Sequence, residues 1–176
     1  GVSDILGKYI ALADWKIASI LMDEYYCTAV ADLETKAIRT VKDNLKEIAA
    51  GEKDACEKLM YALILSGLAM QMTGNSRPAS GAEHHMVHLW DMEVVNGHLD
   101  ALHGEKVSAA TMLVLLEYKK LADAIRRGAC RVHAFTDGDT ELLQETFGRK
   151  GILGALEKEN TPEQSTPHRS LTSQRA

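Results

Sequence analysis

Apolar residues recur at three- and four-residue steps along most of the chain, which is the spacing of one face of an α-helix. The clearest such stripe consists of Val30, Leu33, Ala37, Val41, Leu45 and Ile48. Strand-like alternation is nearly absent, and no G-x-G-x-x-G turn stands between a strand and a helix. The sequence therefore predicts an all-α fold, a helical bundle without a nucleotide-binding sheet.

Glycine and asparagine breaks divide the helical pattern into seven predicted helices, over residues 5–25, 30–48, 53–73, 81–95, 103–127, 139–147 and 152–159. The third is apolar nearly all round after Leu59, which predicts a central position surrounded by other helices. The fifth is also expected to be buried. Ser80 is expected to cap the fourth helix, with Glu83 as its capping-box partner. Residues 1–159 are expected to form the domain and residues 160–176 a disordered tail.

Length, charge and cysteine content exclude several classes of function. The 176 residues, 45% of them hydrophobic, suffice for one domain with its own core. A formal net charge of -5 gives no basic surface for nucleic acid, and the longest apolar stretch falls short of the roughly 20 residues that insert into a membrane. Three widely separated cysteines form neither a disulfide framework nor a zinc knuckle. Without a signal peptide, a cytoplasmic location is expected.

Ionisable residues are concentrated in the segment GNSRPASGAEHHMVHLWDM, residues 74–92, directly after the most apolar helix. His84 and His88 are four residues apart and share a helix face, whereas His85 is turned by about 100° from His84. Two imidazoles on one face can provide two metal ligands, or one ligand and one proton relay. Helix capping, a core hydrogen bond or a solvated face are the alternative interpretations.

Two further candidate ligands lie in other segments. His103 opens the sequence HGEKV at a helix start, where Gly104 leaves room for close approach, and Asp4 lies in the opening turn of the first helix. One carboxylate and two neutral imidazoles leave a divalent ion with open positions, which a catalytic site needs. Spacing along the chain does not show whether the three residues meet.

The segments SDILGKYIALADWK, SGLAMQMTGNSRPASGAEHHMVHLWDM and LHGEKV resemble the C-terminal helical domain of the sn-glycerol-1-phosphate dehydrogenases, especially the bacterial form. That family belongs to the superfamily of iron-containing alcohol dehydrogenases, glycerol dehydrogenases and dehydroquinate synthase-like enzymes. The similarity runs from residue 1 to about residue 128, and SRPASG-EH is specific to this branch. Family members place an NAD(P)-binding α/β domain before this one, and nothing in the sequence matches that half.

The resemblance implies a metal site and a reaction. By position, Asp4, His84 and His103 match the ligands of a divalent zinc, nickel or iron ion. His85 is an alternative ligand, because it precedes His88 in an H-x-x-H spacing that resembles the glycerol dehydrogenases. His88 is the candidate catalytic proton relay. The implied reaction reduces dihydroxyacetone phosphate to sn-glycerol 1-phosphate with NADH or NADPH, while the metal polarises the ketone oxygen.

The loop NSRPASG is the predicted phosphate site, and its candidate substrate-binding residues are Asn75, Ser76, Arg77 and Ser80. Arg77 is held stiffly by the proline that follows it, and its guanidinium suits a phosphate group. The alternative is a loop arginine paired with Glu83. Lys8, four residues after Asp4, is interpreted as half of an ion pair on the helix surface.

Three functions remain open at this point: the metal- and substrate-binding half of a glycerol-1-phosphate dehydrogenase, a glycerol or other alcohol dehydrogenase of the same superfamily, and a non-catalytic helical metal-binding module. Because the chain starts at Gly1 within a helical pattern, a preceding nucleotide-binding domain is expected as a partner. Without it the chain alone is expected to be inactive. The other expected partners are a small phosphorylated substrate and, through an exposed apolar face, a second copy of the chain.

Overall fold

A computed structural model describes residues 1–93, 97–130, 140–148, 151, 153–154 and 158. This part contains no strand, and its helices are α1 (Val2–Leu21), α2 (Thr28–Asp43), α3 (Leu45–Ala49), α4 (Lys53–Thr73), α5 (Ala82–Asp91), α6 (His103–Arg126) and α7 (Thr140–Phe147). The predicted all-α class is confirmed. The tail predicted over residues 160–176 lies outside the described residues, as does most of the helix predicted over residues 152–159.

The first helix ends earlier than its apolar pattern predicts. α1 stops at Leu21 rather than near residue 25, and Asp23 adopts a left-handed backbone with φ of 59°. The chain then turns back across Trp15, whose indole N–H donates to the Tyr25 carbonyl oxygen at 2.7 Å. The apolar residues beyond Leu21 therefore belong to the connection between α1 and α2.

The second predicted helix is divided at Asn44 into α2 and α3. The side-chain amide of Asn44 donates to the Thr40 carbonyl oxygen at 2.8 Å, and Lys58 donates to its oxygen at the same distance. These hydrogen bonds pair polar groups at the break between α2 and α3. Because they involve polar side chains, the spacing of apolar residues does not predict the break. The third predicted helix matches α4, which ends where Gly74 takes a φ of 69°.

α1 is the central helix of the described part, because it contacts α2, α4, α5 and α6. Two apolar clusters join it to α2 and α4; they consist of Ile5, Ala37, Ile38, Val41 and Ala62, and of Trp15, Val30, Ala31 and Ala69. A third cluster, Val87, Val107 and Ala110, joins α5 to α6. The start of α1 is thus enclosed by helices on several sides.

α4 and α6 are more exposed than their sequences predict, so both expectations of a surrounded helix are wrong. α4 packs mainly on α2, and its opposite face leaves a row of large apolar side chains in solvent: Met60, Ile64, Leu68 and Met72. In α6 the buried residues are Val107, Ala110 and Val114. The described residues provide no helix to cover these faces. None of the described helices is long and apolar enough to cross a membrane.

The loop before α5 passes very close to α1 at Gly81. A Cβ atom built on Gly81 would lie 2.7 Å from the Ala11 Cα and 2.6 Å from Asp14 Oδ2. Only a residue without a side chain fits at that distance, although the φ of -123° is available to any residue. The close approach fixes where α5 crosses α1.

The start of α5 differs from the predicted capping box. The N-cap residue is Gly81 rather than Ser80, and the Asp14 carboxylate of α1 accepts the Ala82 N–H at 2.7 Å. Glu83 accepts the Gly81 N–H at 3.1 Å. The predicted hydrogen bond from the N-cap N–H to Glu83 is therefore present, but the N-cap is Gly81, one residue later than predicted. Ser80 does not cap α5, because the Asp14 side chain of α1 accepts a backbone N–H in the first turn instead.

We expect Gly81→Ala to lower the free energy of unfolding by roughly 1–3 kcal/mol, because the new methyl group meets the α1 backbone. Gly67→Ala is the matched control: nothing lies within 4 Å of its Cβ position in α4, so the change should raise stability by roughly 0.5–1 kcal/mol. Urea denaturation of both variants measures the difference. Equal stability of the two would contradict the close contact.

Glu34 on α2 is a buried carboxyl group, 1% exposed, and neither of its oxygens makes a hydrogen bond of normal geometry. Burial raises the pKa of Glu34 above its ordinary value, and the neighbouring Ser66 hydroxyl opposes this only in part. The folded state therefore binds the Glu34 proton more tightly than the unfolded state. Stability is lost as pH rises and the group ionises inside the core.

Glu34→Gln should therefore stabilise the chain at pH 7 by about 1 kcal/mol, and the gain should shrink near pH 4, where Glu34 is largely neutral in both states. Glu57→Gln is the control, because Glu57 is an exposed partner of Lys53 and should change stability little. Urea midpoints at the two pH values give the comparison. A destabilised Glu34→Gln variant at pH 7 would show that the charge is compensated.

Candidate metal centre

Three helices each bring one ligand-type side chain to a common point. Asp4 lies in the first turn of α1, His84 near the start of α5, and His103 is the first residue of α6. Asp4 Oδ1 is 3.2 Å from His84 Nε2 and 3.9 Å from His103 Nε2, and all three atoms lie within 4.8 Å of one another. The structure therefore brings together three residues that the sequence places in separate segments.

The geometry of this cluster suits a divalent ion. Four ligands at 2.0–2.1 Å around zinc are separated from one another by roughly 3.3 Å, close to the distances found here. The side chain of His84 is 10% exposed and that of Asp4 21%, whereas that of His103 is 51% exposed. The cluster is thus closed on the α1 side and open at His103, which leaves access for a further ligand.

The two oxygens of Asp4 have different partners. Oδ1 faces the two imidazoles, and Oδ2 lies 3.4 Å from Lys8 Nζ. Burial favours the neutral acid, but the hydrogen bond from His84 and the charge of Lys8 outweigh it and lower the pKa of Asp4 to about 2. Asp4 is therefore an anion at any physiological pH and presents one oxygen to the cluster.

His84 stands between two carboxylates. Hydrogen bonds to Asp4 and Glu83 raise the pKa of His84 to about 9, against the opposing effect of burial. Its Nε2 faces Asp4 Oδ1 at 3.2 Å, and its Nδ1 faces Glu83 Oε1 at 2.7 Å. An ion bound at Nε2 would therefore release a proton from His84.

Glu83 is a site residue that the sequence analysis missed. It is fully buried, and its Oε1 lies 2.7 Å from His84 Nδ1. Spacing rules do not predict a contact between neighbours in a helix, because successive side chains are turned by about 100°. The available signal was a carboxylate directly before a candidate ligand in the first turn of a helix.

Lys8 forms the expected ion pair with Asp4, but its predicted surface location is wrong. The residue is 3% exposed, and Nζ also donates to the Ala79 carbonyl oxygen at 3.4 Å. Ala79 and Pro78 are themselves buried. The loop between α4 and α5 therefore covers this face of α1 and encloses the lysine.

The other two histidines of α5 lie outside the cluster. His85 and His88 are both exposed, and neither belongs to the group of ligand atoms that meet. The ring centroid of His88 is 6.4 Å from that of His84, compared with 5.5 Å for His103. Geometry thus favours His84 over His85 as the ligand from α5, and it leaves His88 beside the cluster.

Arg77 does not pair with Glu83, so that alternative is wrong. Its guanidinium makes two hydrogen bonds of 2.7 Å to the carboxylate of Glu24, in the connection between α1 and α2. Glu83 is instead buried against His84. The sequence could not identify the Arg77 partner, because Glu24 lies 53 residues away.

The remaining candidate substrate residues lie along the same loop. Asn75 Oδ1 accepts the Arg77 backbone N–H at 3.1 Å, and the Ser80 N–H donates to the Ser76 carbonyl oxygen at 2.9 Å. Asn75 and Ser76 also line an open cavity of about 700 Å³ beside the end of α4. The loop is therefore held by its own backbone and side-chain hydrogen bonds.

Comparison with known proteins gives a consistent result. The chain is 44% identical over 123 residues to a glycerol-1-phosphate dehydrogenase (NAD(P)+) of Halalkalibacterium halodurans, a match that covers 69% of this chain and 31% of the relative. The enzyme of the same name from Geobacillus thermodenitrificans is 34% identical over 171 residues, 90% of this chain and 42% of the relative. That of Pyrococcus horikoshii is 35% identical over 152 residues, 84% of this chain and 43% of the relative.

No family model matches the sequence. The chain spans less than half of the length of the curated relatives that it matches. These matches come from both bacteria and archaea and carry one enzyme name. The chain therefore belongs to the glycerol-1-phosphate dehydrogenase family.

Proposed function

We propose that this chain is the C-terminal, metal- and substrate-binding part of an NAD(P)-dependent glycerol-1-phosphate dehydrogenase, which interconverts dihydroxyacetone phosphate and sn-glycerol 1-phosphate. The observation that carries the proposal is the meeting of Asp4, His84 and His103 in a chain with relatives of that name. The nucleotide is assigned to another part of the longer protein. The described residues contain no strand and glycine turn to hold a pyrophosphate.

In this proposal Asp4, His84 and His103 hold one divalent ion, for which zinc, nickel and iron all suit the donor set. A bound ion would polarise the ketone oxygen of the substrate and stabilise the negative charge that develops there during hydride transfer. Lys8 keeps the second oxygen of Asp4 turned away from the cluster. The exposed side at His103 is where a substrate oxygen reaches the site.

His88 is proposed to supply the proton that the reduced oxygen requires. It lies one helical turn from His84, with its ring centroid 6.4 Å away, and its side chain is exposed. An exposed imidazole can exchange its proton with solvent after each transfer. Its position beside the cluster supports this role without placing it among the ligands.

The phosphate is assigned to Arg77 with Asn75, Ser76 and Ser80. Glu24 uses two of the five guanidinium N–H groups of Arg77, those on Nε and Nη2. Three N–H groups remain for a phosphate, including both on Nη1. Glu24 would then hold the guanidinium in a fixed orientation while its other edge binds the anion.

One observation favours a second candidate, a dehydrogenase of the same superfamily that acts on an unphosphorylated polyol. The ion pair of Arg77 with Glu24 also fits a purely structural arginine that ties the loop to the connection between α1 and α2. A phosphate group distinguishes the two candidates, because only the first needs a free guanidinium edge.

The direct test uses the longest natural protein that contains this chain. Its ability to reduce dihydroxyacetone phosphate is followed through the absorbance of NADH, before and after removal of metal by a chelator. Loss of activity on chelation and its return with zinc, nickel or iron(II) is expected. Undiminished turnover by the metal-free protein, or none with the metal restored, contradicts the proposal.

We expect the purified chain to bind zinc, and His84→Ala or His103→Ala to weaken that binding on the order of 100-fold or more, because each change removes one ligand. His85→Ala should leave the affinity unchanged. Calorimetric titration with zinc measures the affinities, and circular dichroism checks that each variant is folded. Equal losses in His84→Ala and His85→Ala would remove the assignment of His84 as the ligand.

In the longer protein, Arg77→Ala should reduce kcat/KM for dihydroxyacetone phosphate by the equivalent of about 2–4 kcal/mol, because a charge-assisted hydrogen bond to the phosphate is lost. Activity with unphosphorylated dihydroxyacetone should be unaffected. Glu24→Ala is the companion variant, since it breaks the same ion pair but keeps the guanidinium. If both variants impair both substrates to the same extent, Arg77 is structural.

A further inference from the structure

The carboxylate of Glu83 occupies an unusual environment. It is fully buried, and one oxygen, Oε1, accepts the Gly81 N–H at 3.1 Å and lies 2.7 Å from His84 Nδ1. The other oxygen, Oε2, is buried without a hydrogen-bond partner in the described part of the chain. Burying a charge with one oxygen unsatisfied is unfavourable, so helix capping alone is a weak reason for a glutamate here.

The Glu83 side chain is also confined sterically. A Cβ atom built on Gly7 of α1 would lie 3.4 Å from Glu83 Cγ, 3.1 Å from Val107 Cγ1 and 3.2 Å from Thr111 Oγ1. A Cβ atom on Gly81 would lie 2.9 Å from Glu83 Oε2. The side chain therefore lies in a slot between α1 and α6 that two glycines leave open, and its carboxylate has a fixed position.

A fixed carboxylate decides which nitrogen of His84 carries a proton. An ionised carboxylate only accepts hydrogen bonds, so Nδ1 must be the donor in this contact. Nε2 faces the Asp4 carboxylate, which also only accepts, at the longer distance of 3.2 Å. When an ion replaces the proton on Nε2, Glu83 retains the proton on Nδ1, and the electron pair of Nε2 is left for the ion. Glu83 and the cluster thus act on opposite nitrogens of one ring.

We propose that Glu83 is a positioning residue, which holds His84 in its Nδ1–H tautomer and orients Nε2 as a metal ligand. This inference rests on the proposed metal site. The negative charge of Glu83 also makes the imidazole a stronger electron donor, as acceptors behind ligating histidines do in other metal sites. A glutamate that only capped α5 would not affect the histidine ring.

Two variants separate these roles. Glu83→Gln keeps an oxygen that accepts both hydrogen bonds but removes the charge, whereas Glu83→Ala removes both hydrogen bonds. Zinc affinity should fall about 10-fold in Glu83→Gln and up to about 100-fold in Glu83→Ala. Asp14→Ala is the capping control, because it removes the acceptor of the Ala82 N–H at the same helix start and leaves the contact of Glu83 with His84. Its zinc affinity should change less than about 3-fold.

The tautomer is measured without metal, so this test is independent of the proposed site. Long-range proton–nitrogen spectra of the metal-free, nitrogen-15-labelled chain, recorded at a pH where the His84 ring is neutral, report which ring nitrogen is protonated. The Nδ1–H form is expected in the wild type, because the contact of Nδ1 with Glu83 is 2.7 Å and that of Nε2 with Asp4 is 3.2 Å. It should be lost in Glu83→Ala, where Asp4 is the remaining acceptor. An Nε2–H form in the wild type, or an unchanged tautomer in Glu83→Ala, overturns the proposal. Absence of zinc binding in a wild type with the Nδ1–H form would overturn only the metal site.

Discussion

The structure depends on the contact of Gly81 with α1. A backbone without a side chain lies against Ala11 and Asp14, and the Asp14 carboxylate accepts the first N–H of α5. This contact fixes the start of α5 at Ala82 and places the first turn of α5 against α1. The Tyr118 hydroxyl donates to the same Asp14 carboxylate, so α6 is tied to the same point. The close approach of Gly81 to the α1 backbone therefore sets where the helices that carry Asp4, His84 and His103 meet.

Buried ionisable groups follow one another with alternating charge. Glu83, His84, Asp4 and Lys8 form a row in which each cation lies between or beside anions. Such a row keeps charged groups inside a small protein, because every charge has a close partner of opposite sign. A divalent ion at Nε2 of His84 would replace a proton and preserve the alternation. The alternation of charge that stabilises the row would therefore also suit an ion at the proposed metal site.

Sequence reasoning predicted the helices well, because apolar stripes and glycine stops act locally. The prediction that α4 is surrounded was wrong, because a helix that is apolar all round has the same sequence pattern whether its outer face is covered or exposed. In the structure that face, with Ile64 and Leu68, is exposed. The meeting of Asp4 with His84 and His103 was inferable only through a family resemblance, because spacing between segments carries no information about contact. The sequence did not predict the partner of Arg77 or the burial of Lys8. Both depend on the path of the loop before α5 in three dimensions, which local sequence patterns do not give.

The attachment of α5 to α1 has a consequence for how this chain can vary. Asp4 and Asp14 are ten residues apart, about 15 Å along the helix, and both reach the first turn of α5. A substitution at an exposed position between them, such as Tyr9, leaves that register intact. A single inserted or deleted residue would turn one carboxylate by about 100° relative to the other and separate the proposed metal ligand, Asp4, from Asp14 at the start of α5. Exposed positions in this stretch of α1 can therefore vary in side chain, whereas the number of residues in it is fixed.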